Sequence, residues 1–220
     1  MQDIKTLVWD SGFFGYTIGR IDINDCVFEP IPDSVNEFDL IYLFSAVKQQ
    51  LEDIIVPIDV KVNYIKHISQ TSTMPPNIEE YKGELNEELV NLAILSGRYS
   101  RFKKDPFLGI RFEMLYTLWI QKSISGILAD KVLIYKKDDD ILGFITLKLV
   151  PGYVQVGLIA VHDHHMGKGI GSSLLQAISA VYPNKKIIVS TQQENKEANA
   201  LYKKNGFLIG TKQYIYHLWK

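Results

Sequence analysis

Three glycines at alternate positions, Gly167, Gly169 and Gly171, with Lys168 between the first two, precede an amphipathic run in "HHMGKGIGSSLLQAI". Glycine lets a ligand approach the backbone closely, and the first turn of a helix offers unpaired N–H groups and a partial positive charge. The chemistry expected there is the holding of a phosphate. A P-loop requires Gly-Lys-Ser/Thr, and Lys168 is followed by Gly169, so that reading fails. A dinucleotide fingerprint meets Ser172 or Leu174 where its third glycine should stand, although the strand–loop–helix context and Glu194 suit it. A tight turn that binds nothing also stays open.

One strand later, "ENKEANALYKKNGF" places Asn195, Ala198, Leu201, Tyr202, Gly206 and Phe207 on and just beyond a helix. Singly these are ordinary: Leu201 and Phe207 suit a core, Tyr202 a half-buried position, and Gly206 a helix C-cap. As a set in register after the loop they resemble the second coenzyme A element of the GNAT N-acetyltransferases, Asn-x-x-Ala-x-x-Leu-Tyr-x-x-x-Gly-Phe. The loop itself is similar to that family's Gln/Arg-x-x-Gly-x-Gly/Ala signature, with Met166 departing from the polar first position. The resemblance implies acetyl-coenzyme A as donor, its pyrophosphate on Met166, Gly167, Lys168, Gly169, Ile170, Gly171 and Ser172. It also implies pantetheine along Ile159 and Val161, and further contacts from Asn195 and Tyr202. In the family an amine attacks the thioester directly in a ternary complex, and a backbone N–H polarises the carbonyl. Tyr202 matches the general acid that protonates the departing thiolate.

"HDHH" alternates His162 and His164 as strand ligands would, but without further ligands nearby it reads as a polar turn, and no metal is expected. His162 and His164 are candidates to take up the amine's proton.

Two stretches outside the cofactor elements bear on the acceptor. "GRYSRFKKDPFLG" combines Arg98, Arg101, Lys103 and Lys104 with Tyr99, Phe102 and Phe107, and "WDSGFFGYTIGRI" surrounds Asp10 with aromatics that include Phe14. Cations bind a diphosphate and aromatic faces stack on a base, so a nucleotide site is chemically reasonable. A solvated basic loop at a helix C-terminus is the competing reading. Trp-Asp-Ser-x-Phe-Phe-Gly, Ser-Arg-Phe and Asp-Pro look like the TDP-fucosamine acetyltransferases, a group within the same family, along nearly the whole chain. That likeness implies a nucleotide-linked 4-amino-4,6-dideoxyhexose as the amine, with Arg98, Arg101, Phe102 and Phe14 on the acceptor side. A lysine or polyamine would meet like charge at the basic stretch. A peptide N-terminus stays open as the amine, and so does a coenzyme A-binding regulator without catalysis.

These residues need a scaffold. The chain has 220 residues, 46% of them apolar, enough for a buried core. Lysine plus arginine (24) nearly cancels aspartate plus glutamate (25), so no global field draws it to nucleic acid or an anionic membrane. Cys26 is the single cysteine, and "MQDIKTLVWD" lacks the basic and apolar pattern of a signal peptide, so a cytoplasmic protein is expected.

"YTIGRIDI", "FDLIYLFS" and residues 54–68 read as strands and "AVKQQLEDI" as a short helix. "SQTSTMPPNIEE", with its paired prolines, is the expected boundary between a smaller α/β half-domain (1–75) and an acetyl-coenzyme A-binding domain (76–220). After it the order is α-α-β-β-β-α-β-α-β: an α/β GNAT fold, a mixed central sheet with helices on both faces. The aromatic terminal strand "YIYHLWK" reads as an edge able to pair with a second copy, giving a homodimer.

Overall fold

The computed structural model describes residues 4–23, 36–49, 56–69 and 71–220. The elements are β1 (Lys5–Thr6), α1 (Val8–Phe14), β2 (Ile18–Ile23), β3 (Leu40–Ser45), β4 (Asp59–His67), β5 (Ile78–Glu80), α2 (Glu87–Ser96), α3 (Arg101–Lys104), α4 (Phe112–Ile124), β6 (Lys131–Lys137), β7 (Asp140–Val150), β8 (Tyr153–Val161), α5 (Ile170–Val181), β9 (Lys186–Gln192), α6 (Lys196–Lys204) and β10 (Leu208–Trp219). Among the described residues the strands form one mixed sheet in the order β1-β2-β3-β10-β4-β9-β8-β7-β6-β5.

The two faces have different cores. On the back, α5 presents Leu174, Leu175 and Ile178 to Val62 and Tyr64 of β4 and to Ile187 and Val189 of β9, together with Tyr202 of α6 and Phe207. The helical spacing of those α5 residues is the one a single buried stripe requires. On the front, Phe14, Tyr42, Phe102, Leu115, Tyr116 and Ile215 pack together, covering β3 and β10 with α1, α3 and α4. Strand alternation and the pairings Tyr42↔His217, Phe44↔Ile215, Ile215↔Asp59 and Lys61↔Gln192 set polar side chains in a row on this same front face.

Several expectations are corrected. "YIYHLWK" is not an edge: β10 pairs with β3 on one side and β4 on the other, so it offers no free ladder to a second copy. It occupies the sheet's interior because its aromatics are flanked by two strands from the first third of the chain. Residues 78–80 of the expected linker pair with β6. Residues 8–14, whose aromatics and glycine follow no clear helical or strand period, form α1, closed by Gly15 at φ 80°. Of the helix expected over 46–54, residues 46–49 form no helix and the stretch 50–54 lies outside the described residues, as does Cys26. Strands from both parts of the chain, 1–75 and 76–220, share the one sheet, with β4 between β9 and β10. Among the described residues no helix is long and apolar enough to cross a membrane.

Candidate active site

The sheet splits where β8 and β9 part. Tyr153 to Val156 pair in parallel with Lys186 to Val189, and the pairing stops there. Beyond it, residues 157–161 stay bonded to β7 alone, with a register shift between Ile145 and Leu147 on the partner strand. Thr146 fills the irregularity: its hydroxyl accepts from the Leu158 N–H at 2.8 Å. The edges of β8 and β9 that face the gap therefore carry unpaired backbone groups, a surface on which an extended amide-bearing chain can be hydrogen-bonded.

The gap is the middle of a cleft of about 510 Å³ that runs from the back face to the front. Ile159 and Val161 line it on the β8 side, Met166, Gly167, Gly169, Ile170, Gly171 and Ser172 at the start of α5, and Asn195 and Tyr202 on the α6 side. Gly167 and Gly169 have φ of 76° and 87°, the left-handed region that a side chain would strain. Gly169 is the N-cap of α5 and supplies no side-chain cap. The first-turn N–H groups of that helix thus lie beside an opening lined by glycine backbone, the arrangement that binds a phosphate.

Lys168, by contrast, is exposed and does not line the cleft. Ser172 Oγ accepts a hydrogen bond from Asn205 Nδ2 at 3.0 Å, which ties the start of α5 to the end of α6. Asn195 caps α6, its Oδ1 accepting from the Ala198 N–H at 3.0 Å. Tyr202 is 1% exposed, its ring packed against Tyr64 and Phe207. Burial, with a smaller push from Tyr64, holds its phenol well above the ordinary tyrosine range, so the hydroxyl keeps its proton.

The basic stretch divides. Arg98 lines the cleft and pairs with Asp163 at 3.0 Å, just beyond the end of β8. Arg101 lies on the front face, with its guanidinium 4.1 Å from the Tyr42 ring and 4.4 Å from Phe102. It contacts His217 Nε2 at 3.3 Å and has no carboxylate partner among the described residues. His217 in turn bonds Asp105 through Nδ1 at 2.6 Å. Burial lowers the His217 pKa, and Asp105 opposes it. A neutral ring that donates from Nδ1 presents a lone pair at Nε2, so Arg101 donates to it and keeps its charge.

Phe14 and Phe102 differ from their expected role. They stack on each other at 5.6 Å inside the front core, with Trp119 against Phe102. Their faces are already covered, so neither is free to stack on a base. The histidine tract forms a short 3-10 turn, Asp163–His165, and of its three histidines only His165 lines the cleft. Among the described residues no group of three or more His, Cys, Asp or Glu side chains converges as metal ligands do.

A second set of polar groups, unmarked by any sequence motif, stands beside Arg101. Asp59 is 5% exposed, and its Oδ1 and the Tyr42 hydroxyl are buried without hydrogen-bond partners. Tyr42 and Asp59 come from different strands in a region whose only sequence signal is β propensity. No local spacing announces their convergence, which the sheet order alone produces.

Residues 129–208 match the model of the acetyltransferase (GNAT) domain. An uncharacterized N-acetyltransferase of Bacillus methanolicus is 34% identical over 59 residues, 26% of this chain and 49% of that protein. The chain thus spans about half the length of that relative. Among solved structures, a GNAT-family protein of Novosphingobium aromaticivorans aligns with a TM-score of 0.52 and 15% identity, over 83% of this chain and 74% of that one. A functionally unknown conserved protein of Staphylococcus epidermidis aligns with a TM-score of 0.61 and 12% identity, over 100% of this chain and 93% of that one. At such identities the likeness is one of fold: the chain has the α/β GNAT fold.

Proposed function

We propose that the chain is an acetyl-coenzyme A-dependent N-acetyltransferase. The observation that carries this is the uncapped first turn of α5 behind Gly167 and Gly169, opening into the β8–β9 gap within the matched domain. The first-turn N–H groups of α5 would hold the pyrophosphate, the unpaired edge of residues 157–161 the pantetheine, and Tyr202 lines the same cleft. When bound, acetyl-coenzyme A supplies the acyl group and a thiolate leaving group. The chain's own residues hold that thioester still, exclude water and offer the Tyr202 proton to sulfur.

The acceptor we propose is a nucleotide-linked 4-amino-4,6-dideoxyhexose. Its support is the likeness of residues 9–15 and 100–106 to enzymes of that kind, joined to the placement of Arg101. That cation is held on aromatic rings and oriented by His217, and among the described residues no carboxylate lies within ion-pair distance of it, Asp10 and Asp59 acting on it only from further away. A diphosphate is a chemically matched partner. In this reading residues 1–75 furnish the acceptor-side wall and residues 76–220 the cofactor-binding part, joined through one sheet.

The test is release of free thiol from acetyl-coenzyme A with TDP- and UDP-linked 4-amino-4,6-dideoxyhexoses, with spermidine and a lysine peptide alongside. Release with a nucleotide sugar alone is the expected result. Arg101→Ala is expected to raise the acceptor KM about 10–100-fold, as loss of one charge-assisted pair does, and to leave the acetyl-coenzyme A Kd within about twofold. Equal effects on both ligands would place Arg101 outside the acceptor site.

A further inference from the structure

Acetyl transfer needs a destination for the amine's proton. The front face offers a buried carboxylate. Asp59 opens β4, and its Oδ1 has neither solvent nor a hydrogen-bond partner. A buried carboxylate oxygen left unpaired is costly, so a site that keeps one is complete only when a proton-bearing group comes against it.

The surroundings connect this oxygen to the cleft. Asp59 does not itself line the cleft, but Gln192 of β9, whose side chain hydrogen-bonds its carboxylate, and Tyr116 of α4 beside it both do. From α3 come Arg101 and Lys104, from its own strand Lys61, and from beyond β9 Glu194. Lys104 is already engaged, with its Nζ 2.6 Å from Glu194 Oε1. Arg101 is turned to His217 and the Tyr42 ring. Neither cation therefore closes on Asp59 Oδ1, although both favour its ionised form.

We infer that Asp59 is the catalytic base, which receives the acceptor's amine on Oδ1 and takes its proton. The inference rests on the acetyl-transfer reading and names the residue that reading lacks. The amine nitrogen forms the C–N bond to the thioester carbonyl, the C–S bond breaks, and sulfur leaves with the electron pair. The amine's proton passes to Asp59, and the Tyr202 proton goes to the thiolate. Arg101, on the same face, holds the acceptor's anionic group while Asp59 faces its amine, so the pair selects an acceptor that carries both.

Burial pushes the Asp59 carboxyl up to about 6, against the opposing pull of Lys104 and Arg101. A carboxyl so placed is mostly ionised at neutral pH and basic enough to accept a proton. The expected kcat/KM therefore rises as pH passes through about 6.

The experiment follows thiol release against pH for wild type and Asp59→Asn with the nucleotide-linked amino sugars, and measures acetyl-coenzyme A binding to both by calorimetry. Asparagine removes the charge and keeps the shape. Expected are unchanged cofactor binding, a kcat reduced about 10–100-fold, and loss of the rising limb near pH 6. Asp59→Glu is expected to keep that limb. A variant with the wild-type rate overturns the inference, and so does a slowed variant that retains the limb, because Asp59 would then shape the site without taking the proton. A wild type that binds no acetyl-coenzyme A, or releases no thiol with any amine, overturns the acetyl-transfer reading and this inference with it.

Discussion

Replacing Tyr202 with phenylalanine is expected to lower kcat by about 10²-fold or more while acetyl-coenzyme A binds as before. The ring is buried against Tyr64 and Phe207, and phenylalanine keeps that packing. The hydroxyl has no protein partner among the described residues, so its removal breaks no internal hydrogen bond and stability should change by less than about 1 kcal/mol. What is lost is a proton that burial keeps on the phenol at neutral pH. Without it the thiolate must leave unprotonated, and the loss should appear in kcat rather than in the cofactor Kd. Thiol release and calorimetry on the same preparation separate the two, and an unchanged kcat would remove Tyr202 from the acid role.

Asp105→Ala is expected to cost about 3–5 kcal/mol of stability at neutral pH, the range for breaking a buried charged network. Asp105 is 1% exposed and serves four donors. Oδ1 accepts from the Phe107 and Leu108 N–H groups at 2.9 and 3.0 Å, and Oδ2 from His217 Nδ1 and Trp219 Nε1 at 2.6 and 2.8 Å. Burial alone would raise its pKa, but the bonds from His217, Leu108 and Trp219 outweigh it and hold the carboxyl below the ordinary aspartate value. A depressed folded pKa contributes stability that is present above the unfolded value of about 3.9 and lost as pH falls through the folded one. The deficit of the variant should therefore be full at pH 7 and shrink below about pH 4 in denaturant titrations. Because Asp105 fixes the His217 tautomer that orients Arg101, the acceptor KM should rise as well. An equal deficit at both pH values would show that packing, not the ionised carboxylate, is what the residue provides.

The cofactor half of the site is legible in the sequence because it is local. A phosphate loop, a helix start and a capped second helix are written in contiguous residues, and the glycine spacing maps onto the positive φ angles found at Gly167 and Gly169. The acceptor half is legible only in part. Arg101 stands out as a cation among aromatics, but the burial of Phe14 and Phe102 depends on how α1 and α3 fold onto β3, which no short spacing encodes. Asp59 escapes notice for the same reason. In sequence it is one acid at the start of a β run, and it becomes distinctive only between β9 and β10. The terminal aromatic strand shows the converse error, in which local composition suggests an exposed edge and long-range pairing fills it.

The placement of β4 also bears on how the chain reaches its fold. The strand is flanked by β9 and β10, and the bond from Ser190 to Asn63 joins residues 127 apart. During synthesis β2, β3 and β4 leave the ribosome long before the two strands that separate and cover them. A sheet whose centre closes last folds slowly, and its early strands spend that interval with open, apolar ladders. Chaperone dependence should accordingly be concentrated in the nascent first third of the protein, and a circular permutant that places β4 after β10 should refold faster with the same final sheet.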